Sequence, residues 1–386
     1  MVKTNQRATQ NSRVKPLTFA TPIVKDESIT SWLVRAALRQ GCTPLTLTFW
    51  FWPDYRIWTY DVDKGFEHLD HNIHKDMAVL AKGIVEDFDE QNLVNFARET
   101  NNSESRKISL AWTQPLSKRN RYARFGYPYC PDCMANDKGA YLKLKWRFTW
   151  SVCCTEHRRF LQSECSSCHA PYQPQLSNPE DRFINHCHAC RSKIDAVVIE
   201  KKPSGAIYQF QQVADKVFIE KEGSVLGKMV DISEWFEYLS FLINMVRVAA
   251  RNPDYMFGKL LCELGIDVKT ISLPKTALRF DYLPLEERVI LLENAYYLFQ
   301  ISGADWVKSC QALNVTQNSF QWSKETVIPK AFHEVYKHLV RTQTRTYKAQ
   351  SSDINPTSPD AVMAAWHRLQ RKIEMAENYE KHLNKD

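Results

Sequence analysis

The chain has 386 residues, 44% hydrophobic and 12% aromatic, with only 11 glycines, a globular profile that leans to helix and away from a β-sandwich. The length calls for two or three compact units. Its 51 Lys and Arg against 44 acids give a net charge of +7, which permits contact with nucleic acid without requiring it.

Residues 1–25 carry Lys3, Arg7, Arg13, Lys15 and Lys25 and no acid, so residues 1–20 are expected to form a disordered basic tail. A helical unit over 21–120 follows. Asp26, Glu27 and Ser28 offer caps to a helix in which Trp32, Leu33, Ala36 and Ala37 repeat at helical spacing before Gly41 ends it. Next come Phe49-Trp50-Phe51-Trp52-Pro53, then Tyr55, Trp58 and Tyr60. Core packing is the plain reading of this run, but an aromatic density that would be hazardous if exposed also makes Trp50, Phe51 and Trp52 candidates for a contact in a homodimer. Two more helices, His74 to Lys82 and Asp89 to Ala97, complete a unit of the helix-turn-helix type, a shape that serves both DNA binding and protein docking. Residues 99–120 read as a linker.

Eight of the 11 cysteines fall between Cys130 and Cys190. No leader-like segment precedes them, and the longest oily run, Leu239 to Ala250, is short and broken by Asn244 and Arg247. The expected setting is therefore the cytoplasm, with no membrane partner, where paired cysteines indicate metal rather than disulfides. Over 121–200 the sequence gives Cys130-x2-Cys133 with Cys154-x2-His157, then Cys165-x2-Cys168 with Cys187-x2-Cys190. Each set supplies four ligands at knuckle spacing, so two structural Zn2+ ions are expected; interleaved pairing of the knuckles stays open. His169, His186, His188 and Cys153 are bystanders on this reading. Lys118, Arg119, Arg121, Tyr122 and Arg124, with Lys143, Lys145 and Arg147, form a candidate phosphate-contacting surface. The alternative is that they merely cover neighbouring surface.

Residues 201–349 read as a helical bundle, with Trp235, Phe236, Leu239, Leu242 and Ile243 on one stripe and Leu285, Val289, Leu292, Ala295 and Phe299 on another. Over 350–386 a polar loop precedes a terminal charged helix from about residue 361 to 382. The expected fold is thus mainly α: an N-terminal helix-turn-helix-like unit, a tandem zinc knuckle or ribbon region, and a C-terminal α-helical bundle. No catalytic or cofactor-binding residue emerges. The acids do not assemble into a metal-binding triad by spacing, and Gly223 to Met229 is one residue short of a phosphate loop and lacks its Ser or Thr.

Tyr129-Cys130-Pro131-Asp132-Cys133, the segment Tyr141 to Trp146-Arg147, Cys154 to His157, Leu161 and Cys165 to His169 stand in an order that resembles the TniQ family, whose best-known member is TnsD. Pro22 through Arg35-Ala36 resembles the family's opening helix. Thr155 replaces a usual proline, and Cys153 adds a thiol. The resemblance implies a non-catalytic adaptor in transposon target selection, acting in a bacterial cytoplasm and at the nucleoid when target-bound. Its implied partners are a Cascade-type CRISPR ribonucleoprotein, a TnsC-type AAA+ ATPase that recruits the transposase, and a second copy of the chain. A TnsD-like selector that reads target DNA directly is the alternative, and a zinc enzyme acting on nucleic acid is a distant third.

Overall fold

The computed structural model describes residues 14–67, 69, 72–100, 110–116, 125–136, 139–197, 201–271, 278–322 and 326–341, together with 358–360, 362, 363, 366, 367, 369 and 370. Most of the expected tail (1–13), much of the linker, Lys118, Arg119, Arg121, Tyr122 and Arg124, and most of the terminal helix lie outside the described residues. The chain divides into residues 1–341 and 342–386. In the second unit the backbone N–H of Val362 donates to the Ser358 carbonyl at 3.0 Å, one turn of helix.

Helix α1 (Ile29–Arg39) starts where Ser28 accepts the Ser31 N–H. It stops at a turn in which Gly41 takes φ 73°, a conformation that costs glycine little. Helix α2 (Pro44–Phe51) follows at once, with Thr43 as N-cap and Pro44 in its first turn. Sequence periodicity misses α2 because Pro-Leu-Thr-Leu-Thr-Phe-Trp-Phe is apolar nearly all round. Helices α3 (Ile73–Ala81), α4 (Glu86–Asp89) and α5 (Leu93–Thr100) complete the N-terminal series.

The cysteine region holds a short helix α6 (Pro131–Met134) and a two-stranded antiparallel pair, β1 (Cys153–Cys154) with β2 (Arg159–Phe160). Beyond it lie α7 (Gly205–Glu220), a hairpin of β3 (Glu222–Val225) and β4 (Lys228–Asp231), α8 (Ile232–Arg251), α9 (Met256–Glu263), α10 (Leu285–Phe299), α11 (Gly303–Ala312) and α12 (His333–Lys337). The near-miss phosphate loop is this hairpin. Its turn at Leu226-Gly227, both with positive φ, joins two paired strands rather than a strand and a helix.

Two hydrophobic cores result. The first joins α1, α2 and α3 to residues 127–146 and to the buried cysteines Cys130, Cys154, Cys165 and Cys187. The second joins α7 to α12 and also takes Leu93 and Phe96 of α5, whose apolar side chains leave the N-terminal helices to pack on α8. Phe96 meets Phe148 at 4.2 Å and Phe236 at 5.4 Å between ring centroids, so truncating it to Ala should cost about 3–5 kcal/mol.

The segment from Leu142 to Cys154 is the seam between the cores. Leu142, Trp146 and Cys154 enter the first, while Leu144, Phe148, Trp150 and Val152 enter the second. Its backbone is paired along much of its length. Ser28 N–H donates to the Leu142 carbonyl (2.9 Å), Leu144 N–H to that of Asp26 (2.8 Å), Gln114 N–H to that of Arg147 (2.9 Å) and Thr149 N–H to that of Trp112 (2.9 Å).

Candidate metal centres

Each knuckle places its first ligand in the core and its second toward solvent. Cys130, Cys154, Cys165 and Cys187 are buried, Cys133 is half-buried, and His157, Cys168 and Cys190 are exposed. The local chain explains this. After Cys130, Pro131 starts α6, whose first turn brings Cys133 back over Cys130. The other three knuckles close as tight turns, each ending on a residue with positive φ four places after its first ligand: Arg158 (50°), His169 (55°) and Arg191 (66°). His169 is therefore the turn residue of its knuckle. The backbone N–H groups of Ser167 and Ala189 point at the sulfurs of Cys165 and Cys187, both at 3.4 Å, softening the thiolate charge.

The structure groups Cys130, Cys133, Cys154 and His157 in one set and Cys165, Cys168, Cys187 and Cys190 in the other, with all ligand atoms of a set within 4.8 Å of one another. The pairing is sequential rather than interleaved. Sulfur–sulfur distances are 3.8 Å for Cys133–Cys154, 3.6 Å for Cys165–Cys190 and 3.7 Å for Cys168–Cys187. His157 presents Nδ1 to Cys130, Cys133 and Cys154 at 3.7, 3.3 and 3.6 Å. A tetrahedral zinc with bonds of about 2.3 Å to sulfur and about 2.0–2.1 Å to nitrogen sets sulfurs about 3.8 Å apart and sulfur about 3.6 Å from nitrogen. Disulfide sulfurs would lie about 2.0 Å apart. The donor sets thus fit a four-coordinate thiophilic cation.

Their electrostatics agree. Hydrogen bonding with Cys130 and Cys154 holds the Cys133 thiol far above the usual range, while hydrogen bonds from Cys130 and Cys133 draw Cys154 far below it. In the second set burial pushes Cys187 up to about 12, and a hydrogen bond from Ser192 draws Cys190 down to about 6. A cluster that ionises one thiol and resists ionising the next is completed by a divalent cation, which stabilises every thiolate at once.

The first set is braced from several sides. The Gln211 side-chain oxygen of α7 accepts the Val152 N–H at 2.9 Å, and the Tyr208 hydroxyl donates to the Thr155 carbonyl at 2.9 Å. Arg159 pairs with Asp132 at 2.8 Å, and Lys143 pairs with Glu156 over the Cys133 side. Burial works against the Lys143 charge, but its bond to Glu156 and the nearby Cys133 raise its pKa all the same. Beside the second set, residues 174–176 and 179–181 pack on α1, and 174–176 also on α2. Gly126 is obligatory here: a Cβ would stand 2.0 Å from the Ser163 carbonyl oxygen and 2.1 Å from the Tyr172 nitrogen.

The candidate phosphate-contacting residues within the described chain are placed otherwise than expected. Arg147 is fully buried. Its guanidinium donates to Asp61 at 3.0 and 2.8 Å, to Asp63 at 2.5 Å and to the Gln114 carbonyl at 3.1 Å. Burial opposes that charge, but the two carboxylates hold its pKa above the ordinary arginine value. Asp63 also accepts the Tyr127 hydroxyl (2.9 Å) and the Thr30 N–H (2.8 Å), so Arg147 fixes the start of α1. Lys143 is buried and pairs with the exposed carboxylate of Glu156, and Lys145 pairs with Asp215 at 2.7 Å. These three basic side chains, on the seam between the cores, are taken up by ion pairs within the chain. The acidic partners of Lys145 and Arg147 are 70 or more residues away in sequence, beyond the reach of any local pattern.

Of the aromatic run, Trp52 is buried with its indole N–H on Asp76 at 2.8 Å, Phe51 is half-buried, and Trp50 is 80% exposed. Trp52 therefore belongs to its own chain's core and leaves the proposed contact between copies to Trp50 and Phe51. No described helix is long and apolar enough to cross a membrane.

The TniQ family model matches residues 18–161, from the extended chain before α1 through the whole first ligand set and its β1–β2 pair. No curated protein matches the chain. Residues 18–161 thus carry a TniQ domain, the domain of a family that acts in transposon target selection.

Proposed function

We propose that the protein is a non-catalytic adaptor that links an RNA-guided, Cascade-type DNA-targeting complex to a TnsC-type AAA+ ATPase and so to the transposase. The TniQ domain over residues 18–161 is the observation that carries this reading. The metal sets support a structural role. Each supplies four protein ligands, and a zinc ion held by four ligands keeps no position for a reacting water. Zn2+ is the ion proposed for both, ordering a loop-rich region that offers few aliphatic side chains. The adaptor is proposed to act as a homodimer in the cytoplasm. Exposed Leu45, Phe49 and Trp50 on α2 support an association surface.

Direct DNA reading of the TnsD kind is the competing function. The burial of Arg147 and Lys143 and the pairing of Lys145 weaken the surface on which it would rest. One experiment separates the two. The purified chain, a Cascade-type complex and a TnsC-type ATPase are mixed pairwise and together and resolved by size-exclusion chromatography, beside titrations with attachment-site and random duplex across salt. The adaptor reading expects co-elution with both partners and no sequence preference of the chain alone. Sequence-specific binding by the isolated chain without co-elution would overturn it in favour of direct reading.

A further inference from the structure

The second ligand set is built of sulfur alone, and half of its cysteines face solvent. Cys168 and Cys190 are exposed, while Cys165 and Cys187 are buried. Each exposed sulfur lies against a buried one of the opposite knuckle, Cys190 against Cys165 at 3.6 Å and Cys168 against Cys187 at 3.7 Å. Disulfide sulfurs lie about 2.0 Å apart, so an approach of about 1.6 Å within either pair turns two ligands into a disulfide.

The first set offers no such opening. Cys130 and Cys154 are buried, Cys133 is half-buried, and its one exposed ligand is His157, an imidazole that forms no disulfide. The pairs Lys143–Glu156 and Arg159–Asp132 lie beside it. Oxidation of cysteine follows thiolate character and access. Both sets supply thiolates to a metal, but only the second combines exposed thiolates with a resolving cysteine in contact with each.

We propose that the second ligand set is a site of reversible oxidation by a small peroxide, at which the disulfides Cys165–Cys190 and Cys168–Cys187 take the place of the zinc ion. The Cys190 thiolate attacks hydrogen peroxide and takes up one oxygen as a sulfenic acid, and hydroxide leaves. The Cys165 thiolate then attacks the Cys190 sulfur, closing the disulfide and expelling a second hydroxide. Two electrons pass from the two sulfurs to one peroxide. The set keeps two donors, too few to hold the ion, and a second peroxide joins Cys168 to Cys187 in the same way. Two peroxides are thus consumed for each zinc ion released, and two-electron reduction of each disulfide restores the four thiols. The loop between the knuckles packs on α1 and α2, so the change of cross-link is made against the N-terminal helices.

The inference rests on zinc filling the second set, as proposed above. The test titrates hydrogen peroxide into the intact, zinc-loaded chain carrying Cys262→Ser, which removes the other exposed cysteine. Metal analysis fixes the starting content, and a chromogenic chelator follows release. From about two zinc ions per chain, one should be lost at least about tenfold faster than the other. Mass spectrometry after alkylation should find Cys165 bridged to Cys190 and Cys168 to Cys187, with Cys130, Cys133 and Cys154 alkylated. A phosphine reductant with added zinc should return the lost ion. Adding Cys190→Ser, which should leave zinc in the first set alone, should abolish the fast release. Equal loss from both sets, sulfinic or sulfonic acids in place of disulfides, or retention of both ions would overturn the inference and leave the zinc assignment standing. A folded chain that starts without zinc in the second set would overturn both.

Discussion

The two ligand sets share a geometry and differ in what surrounds them. The first is set into the molecule: Cys153 and Cys154 lie on β1 at the seam of both cores, α7 holds the knuckle through Gln211 and Tyr208, and two ion pairs lie over its open side. The second has Cys168 and Cys190 exposed, and its neighbouring cation, Arg191, faces Glu180 and Asp181. Equal coordination therefore does not mean equal structural weight. A metal site matters to the fold in proportion to how much otherwise unsupported chain converges on it.

The sharpest way to break this comparison is to remove one ligand from each set. Cys154→Ser should leave the chain largely insoluble. Cys190→Ser should leave a folded protein with about one zinc per chain instead of two. Metal analysis and circular dichroism read both, and equal behaviour of the two variants would refute the asymmetry.

Next in size is the ion triad that the first set's neighbourhood depends on. Arg147→Met strands Asp61 and Asp63 in the core, and should cost about 3–5 kcal/mol in denaturant unfolding. Adding Asp63→Asn should return part of that loss. A cost near zero would mean that Arg147 does not anchor α1.

A smaller effect is expected from the cover over the first set. Replacing Lys143 or Arg159 by Ala should speed chelator-driven zinc loss from that set by a factor of about five, the equivalent of about 1 kcal/mol. A Cys190→Ser background, which should hold zinc in the first set alone, isolates this effect.

The smallest effect is one of pH. Burial raises the pKa of Glu27 above 4.5 despite Arg35. The folded chain thus holds that proton more tightly than the unfolded chain, and the stability this contributes is complete below the usual carboxyl value and lost as pH rises through the raised one. Stability of the parent relative to Glu27→Gln should therefore decline across that interval. Unfolding midpoints compared at several pH values would show it, and parallel curves would contradict it.

Much of the site was legible because metal knuckles are local. Two-residue gaps and thiol or imidazole donors name the ligands whatever the rest of the chain does, and the assignment of Cys130, Cys133, Cys154, His157, Cys165, Cys168, Cys187 and Cys190 to two sets matches the observed clusters. The cap at Ser28 and the stripe of α8 were legible for the same reason. Helix α2 was not, since a segment apolar on every side has no period to read. Nor was the placement of α5, whose Leu93 and Phe96 fit any apolar core and pack against whichever one the chain path brings near.

By itself, then, the sequence determined the donor sets, the helical character of the N- and C-terminal regions and the TniQ domain over residues 18–161. The tertiary structure alone decided which charges face water. Arg147 and Arg39 are the same residue type, each at the end of an apolar stretch, yet one lies buried against Asp61 and Asp63 and the other is exposed at the rim of a cavity. The physical reason is range. Ligand spacing and capping act over a few residues, whereas the environment of a charge is set by groups far away in the chain, and no local pattern records where those come to rest.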